Sequence, residues 1–229
     1  MPATASDAVL ISRATNFISA LRGTFLFPGE FLKASAMKVH VIYAHPLKDS
    51  LNARLHQVVV ESLKAAGHEV DDLDLYAEGF DPVLSEADRR DYHDVTINRS
   101  RVAPYVDRLK NADALVLCHP IWNFGWPAIL KGYFDRVFLP DVSFVLKDGK
   151  LGPGLANIKK LATVTTYGSP RWRAIFLGDT PRRNATRFLR VVCNPRVKVS
   201  YNALYNMNNA KPERVEAFIE KIRRDMSRF

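Results

Sequence analysis

The sequence predicts a doubly wound α/β fold, a five-stranded parallel sheet with helices on both faces, and three observations carry that reading. From Met37 onward, apolar runs of strand length alternate with stretches of helical periodicity. The run Ala114 to Cys118 is apolar throughout, as a strand buried on both faces has to be. Helical crossovers between successive strands make the sheet parallel and the connections right-handed.

Each element follows in order. Lys38 to Ala44 is the first strand. The helix from Asn52 to Ala66 carries Leu55, Val58, Val59 and Leu63 on one face and closes on Gly67. Glu69 to Leu75 is the second strand, followed by a polar stretch containing Pro82 and a helix from about Arg101 to Asn111. Ala114 to Cys118 is the third strand, with Pro120 as its stop. Beyond an aromatic turn, Pro127 occupies the first position of a helix whose apolar residues are Ile129, Leu130, Phe134, Val137 and Phe138. Lys160 to Thr166 is the fourth strand, Pro181 to Val192 an arginine-rich helix, Val197 to Ala203 the fifth strand and Pro212 to Met226 the last helix.

Composition bounds the rest. A chain of 229 residues, 47% hydrophobic and 25% charged, can bury one substantial core. No apolar run approaches the roughly 18 residues of a membrane span. Cys118 and Cys193 have neither metal-knuckle nor redox-pair spacing, and read as buried thiols of a cytoplasmic, reducing compartment. A net charge of +9 favours acidic partners without choosing among them. Residues 1–36 stand outside the alternation as an N-terminal extension, with residues 37–229 as the folded domain. The extension is poor in acids, with only Asp7 and Glu30. A presequence, a surface-binding helix and sequence upstream of a start at Met37 all remain open for it.

Two loops carry the chemistry. After the first strand, His45-Pro46-Leu47-Lys48-Asp49-Ser50-Leu51-Asn52 leads into a helix, and free amides, a hydroxyl and a carboxamide at a helix start suit an anion such as phosphate. Ser50 or Asn52 as a simple N-cap is the competing reading. After the third strand, Trp122, Asn123, Phe124 and Gly125 make an aromatic turn where open parallel sheets bind ligands, suited to a flat ring with polar edges. The same aromatics read equally as core residues near a helix start. Neither the Gly-x-Gly-x-x-Gly turn of dinucleotide sites nor a nucleoside-triphosphate P-loop occurs in the chain.

His45-Pro46 with Ser50-x-Asn52, Gly79 to Ser85, His119 to Gly125 with Pro127 to Gly132, and Thr165-Thr166-Tyr167-Gly168 occur in that order. This succession resembles the flavodoxin-like NAD(P)H:quinone reductases from Met37 to the C-terminus. The resemblance implies strand order 2-1-3-4-5 and a flavin, FAD or FMN. His45, Ser50, Leu51 and Asn52 would hold its phosphate or pyrophosphate. Pro120, Ile121, Trp122, Asn123 and Phe124 would line one edge of the ring, and Thr165, Thr166, Tyr167 and Gly168 its other side. It also implies NAD(P)H as hydride donor, ping-pong reduction of quinones or similar small electrophiles, and a homodimer. Two departures stand out: no histidine follows the Thr-Thr motif in Ser169 to Phe176, and Asn123 occupies the position usually held by tryptophan. No catalytic acid is assigned.

Between Arg171 and Lys198 lie eight basic residues against one acid, Asp179. The cluster reads as a solvated face or dimer seam, or as a site in which Arg171 or Arg173 grips the extra phosphate of NADPH through its guanidinium fork. The cluster is not read as a nucleic-acid surface. The alternatives from other classes are a regulatory flavin-binding subunit of a potassium-efflux type system and a flavodoxin-like electron carrier, the latter disfavoured by the basic charge.

Overall fold

The computed structural model describes residues 36–147 and 149–229; apart from Ala36, the N-terminal extension lies outside them. The described chain runs β1 (Lys38–Tyr43), α1 (Leu51–Ala65), β2 (Glu69–Asp74), α2 (Glu86–Asp91), α3 (Ala103–Lys110), β3 (Ala114–Ile121), α4 (Ala128–Val137), β4 (Phe144–Lys147) and β5 (Lys150–Pro153). It continues through β6 (Lys160–Tyr167), α5 (Arg171–Phe176), α6 (Thr180–Arg183), a π-helical stretch (Asn184–Phe188), α7 (Leu189–Val192), β7 (Lys198–Leu204), a 3₁₀ turn (Met207–Asn209) and α8 (Pro212–Ser227).

Five of these strands pair in parallel in the order β2-β1-β3-β6-β7, which is the expected 2-1-3-4-5 once the β4–β5 hairpin is set aside. Period-two alternation divides the core into two layers. Ala114, Val116 and Cys118 of β3 face α1 and α8 through Leu55, Val59, Leu63, Ile219 and Ile222. Leu115 and Leu117 face α3 and α4 through Val106, Leu109, Leu130 and Phe134. Every residue of β3 is therefore buried.

The acidic edge strand β2 is fastened by charge. Fully buried His40 places Nδ1 2.8 Å from Asp71 Oδ2, in a contact poorly aligned for a hydrogen bond. Arg108 bridges Asp71 at 2.8 Å and Glu78 at 2.7 Å. Burial alone would raise the Asp71 pKa, but His40 and Arg108 together hold the carboxyl well below the usual carboxylate range. Cys118 and Cys193 are free, buried thiols. Burial raises both, that of Cys193 to about 12 and that of Cys118 further.

Several boundaries differ from the expectation. β3 runs on through Pro120 to Ile121, pairing with β6 at Pro120↔Thr166 and Ile121↔Tyr167. Proline is tolerated there because the Cys118 carbonyl faces β1, accepting from Ala44 N–H at 3.0 Å, so Pro120 two residues later faces the side where β1 has ended. Pro127 sits one residue before α4, in extended backbone. The expected arginine-rich helix is three segments joined through the π-helical stretch. Helices α2 and α5 and the β4–β5 hairpin were not anticipated, although Asp148-Gly149 is a hairpin signal in the sequence and Gly149 takes φ +71°.

Candidate functional site

The carboxyl ends of β1, β3, β6 and β7 open onto a cleft of about 420 Å³ lined by His45, Asn52, Pro120, Ile121, Trp122, Asn123, Thr166, Gly168, Met207 and Asn208. A larger cavity of about 660 Å³, walled by aromatics of α4 and its neighbours, includes neither of the two expected loops. The cleft is the candidate site, because ligands of open parallel sheets bind beyond the carboxyl ends of the strands.

Each wall has a local cause. Ser50 caps α1: its Oγ accepts from Ala53 N–H at 3.1 Å and donates to the Leu47 carbonyl at 2.9 Å. The N-cap reading thus describes Ser50, whose hydroxyl is already engaged by backbone. Asn52, in the first turn, is buried and donates from Nδ2 to Thr166 Oγ1 at 3.0 Å, tying the start of α1 to the end of β6. Leu51 packs against the core instead. His45 Nδ1 lies 3.1 Å from the Leu47 amide nitrogen and 3.3 Å from its carbonyl oxygen, and the ring lies 5.6 Å from that of Trp122.

The aromatic turn is a two-residue hairpin. Trp122 and Gly125 exchange backbone hydrogen bonds at 2.8 and 3.1 Å, and Asn123 (φ +49°) and Phe124 (φ +57°) between them are both left-handed, as a type I′ turn requires. Asparagine tolerates that region, whereas a bulky residue such as Phe124 is held there at a cost of about 1–3 kcal/mol. The turn leaves Trp122 40% exposed at the cleft. Phe124 does not line it. Beneath, His119 is fully buried, and burial pushes its pKa down to about 4 although the Pro120 carbonyl, 3.0 Å from Nδ1, works the other way. The ring is neutral at pH 7.

Alternation along β6 splits the four-residue motif. Thr166 and Gly168 reach the cleft, whereas Thr165 and Tyr167 point to the opposite face. Tyr167 is 1% exposed; its hydroxyl donates to Asp179 Oδ1 at 2.7 Å and meets the Tyr201 hydroxyl at 2.6 Å. Its side chain does not line the cleft. Arg171 and Arg173 stand exposed on α5 and do not line the cleft, Arg173 lying over the Trp172 ring at 5.2 Å. Sequence reasoning missed Met207 and Asn208, contributed by the 3₁₀ turn after β7. The available signal was the run Asn206-Met207-Asn208-Asn209, rich in carboxamides, directly beyond a strand end.

A flat, anion-bearing ligand fits these walls. Gly168 leaves a gap that its own side chain would close, since a Cβ there would stand 3.0 Å from Asn208 Nδ2. Among the described residues no carboxylate lines the cleft to repel a phosphate, while Asn52, Asn123, Asn208, Thr166 and His45 offer hydrogen-bonding groups. No grouping among the described residues could hold a metal ion, and no helix among them is long and apolar enough to cross a membrane.

Comparison with known proteins agrees with this architecture. A family model described as a flavodoxin-like fold matches residues 37–226. An uncharacterized NAD(P)H oxidoreductase of Escherichia coli is 27% identical over 168 residues, covering 69% of this chain and 76% of that protein. The NAD(P)H dehydrogenase [quinone] 1 of Cavia porcellus is 32% identical over 152 residues, covering 59% of this chain and 55% of that enzyme, so the chain spans about half its length. The crystal structure of Smu.1420 from Streptococcus mutans superposes with a TM-score of 0.73 at 30% identity, covering 84% of this chain and all of that one.

Proposed function

Since this chain belongs to the flavodoxin-like fold family, we propose that it is a flavin-dependent NAD(P)H oxidoreductase reducing quinones or similar small electrophiles. The observation that carries the reading is the cleft itself, a slot between Trp122 and the Gly168–Asn208 gap at the strand ends, bordered by hydrogen-bonding side chains and a helix start. Relatives named as NAD(P)H oxidoreductases support it over a regulatory subunit or an electron carrier. A flavin, FMN or FAD, supplies the hydride-accepting ring when bound there.

The side chains then have separable tasks. The unpaired first-turn amides of α1 and the neighbouring His45 receive the phosphate. Asn52, locked to Thr166, fixes the distance between α1 and β6 so that the slot keeps its width. Trp122 offers an aromatic face, and Asn123 and Asn208 offer amides to the polar ring edge. Neutral His119 beneath the turn adds no fixed positive charge. The acceptor enters from solvent, because Trp122 and Gly168 stay exposed.

Two companion readings belong here. Trp172, Ile175, Phe176 and Leu177 around α5, with Phe188 and Val191, leave a large apolar surface exposed, Phe176 at 82%. That surface suits a second copy of the chain and supports a homodimer. A cytoplasmic location and a core domain beginning near Met37, with residues 1–36 as an appendage, complete the reading.

The purified protein is expected to be yellow. Heat release and chromatography will identify its flavin, and stopped-flow mixing with NADH or NADPH, then turnover with menadione, will measure its reduction and reoxidation. Reduction too slow to sustain turnover with either nucleotide would overturn the enzyme reading in favour of a regulatory one.

A further inference from the structure

Arg182, Arg183 and Arg187 converge on a cavity of about 200 Å³, together with Gly178, Asp179 and Thr186. Basic side chains that share one wall repel one another unless acids or a bound anion offset their charge. Among the described residues none of the three enters an ion pair, although seven other arginines do. The one acid in the wall, Asp179, offsets only one of the three charges, and its oxygens accept from the Tyr167 hydroxyl at 2.7 Å on Oδ1 and from the Tyr205 hydroxyl at 3.4 Å on Oδ2.

The backbone is shaped around this cavity. At the π-helical stretch the Leu189 N–H reaches back five residues to the Asn184 carbonyl, widening the turn that carries Arg187, and such insertions recur at functional positions. Gly178 takes φ +85°, and even a Cβ there would come within 3.9 Å of Arg183 Nη1. Arg182 is half-buried, its guanidinium 5.1 Å over the Tyr201 ring and its carbonyl bonded by Thr186 Oγ1 at 2.7 Å. Arg183 and Arg187 are exposed and free to close on a ligand.

The cavity and the cleft both adjoin the end of β6. Tyr167, whose hydroxyl ends on Asp179, immediately precedes Gly168 in the chain, so both sites hang from one strand end. We infer that the three arginines form a phosphate-monoester site, filled by the 2′-phosphate of NADPH or by free phosphate. The nucleotide source rests on the oxidoreductase reading above; the anion chemistry does not. Guanidinium forks match a phosphate dianion bidentately, which a solvated basic surface need not do.

The test uses the flavin-loaded protein and its Arg183→Ala/Arg187→Ala variant, both substitutions being on exposed side chains. Calorimetric titration with adenosine 2′,5′-bisphosphate, AMP and inorganic phosphate reads the site without turnover. The expected result is that the bisphosphate binds at least tenfold more tightly than AMP and that the double variant loses this preference. The NADPH-to-NADH ratio of kcat/KM should fall at least tenfold in the same variant. Phosphate binding that the variant abolishes, with no advantage of bisphosphate over AMP, supports the anion site and assigns it to free phosphate. No binding of either phosphate compound above that of the variant overturns the inference. Failure of both nucleotides to reduce the flavin, with bisphosphate binding intact, would remove the oxidoreductase reading and leave the site standing.

Discussion

A phenylalanine at Gly168 is expected to give a folded but colourless protein. The backbone at this position is not left-handed, so the substitution is not strained in itself, and the residue is exposed. The steric problem is local, because the first carbon of any side chain already stands 3.0 Å from Asn208 Nδ2. An alanine is tolerated, since the Asn208 carboxamide is the end of a flexible side chain and can give by a few tenths of an ångström. A ring cannot be accommodated without filling the slot. Flavin affinity should therefore drop by at least about tenfold, or roughly 1.4 kcal/mol, for Gly168→Phe, and barely move for Gly168→Ala. Visible absorbance after extensive dialysis measures occupancy, and far-ultraviolet circular dichroism checks the fold. A yellow Gly168→Phe protein at wild-type occupancy would place the flavin elsewhere.

The second large effect is on stability. Gly132→Ala, in the middle of α4, should lower the melting temperature by roughly 10 °C, taking about 3 kcal/mol of overpacking strain and about 2–4 °C per kcal/mol for a domain of this size. Helix propensity alone predicts the reverse, a gain of about 1 kcal/mol. Contact decides the sign. An added Cβ would lie 2.2 Å from the Pro82 carbonyl oxygen, 2.4 Å from its Cβ and 2.5 Å from its Cα. The Pro82 loop cannot easily retreat, because Arg136 of the same helix donates to the Asp81 carbonyl at 2.6 Å and pairs with Asp88 at 3.3 Å, while Phe80 stacks edge-on against Tyr105. Thermal melts of the two proteins settle the matter, and a higher melting temperature for the alanine variant would mean that this loop is not fixed against α4.

Strand order and the approximate place of the site were legible because periodicity and loop chemistry are local properties. The rest depends on which way each side chain turns, which is set by tertiary structure. Within Thr165-Thr166-Tyr167-Gly168, residues alternate along a strand and only Thr166 and Gly168 line the cleft. The Ser50 hydroxyl completes an N-cap and donates to the Leu47 carbonyl, a geometry that composition alone does not reveal. Asn208 enters the cleft from a turn 40 residues beyond Gly168, and no local pattern brings those positions together. The convergence of Arg182, Arg183 and Arg187 depends likewise on a π-helical stretch without a sequence signature, which is why the exposed Arg171 and Arg173 drew attention first.

Under the proposed reduction of quinones, the burial of both cysteines bears on how the protein would survive its substrates. Quinones arylate sulfur nucleophiles, and the attacking species is the thiolate, not the thiol. Cys118 lies within the central strand and Cys193 is fully buried, each shielded from solvent and held protonated by its apolar surroundings. With only two cysteines in the chain, no competent sulfur is presented to an electrophile diffusing toward the cleft. Turnover of alkylating substrates then carries little risk of self-inactivation, a tolerance secured by packing alone.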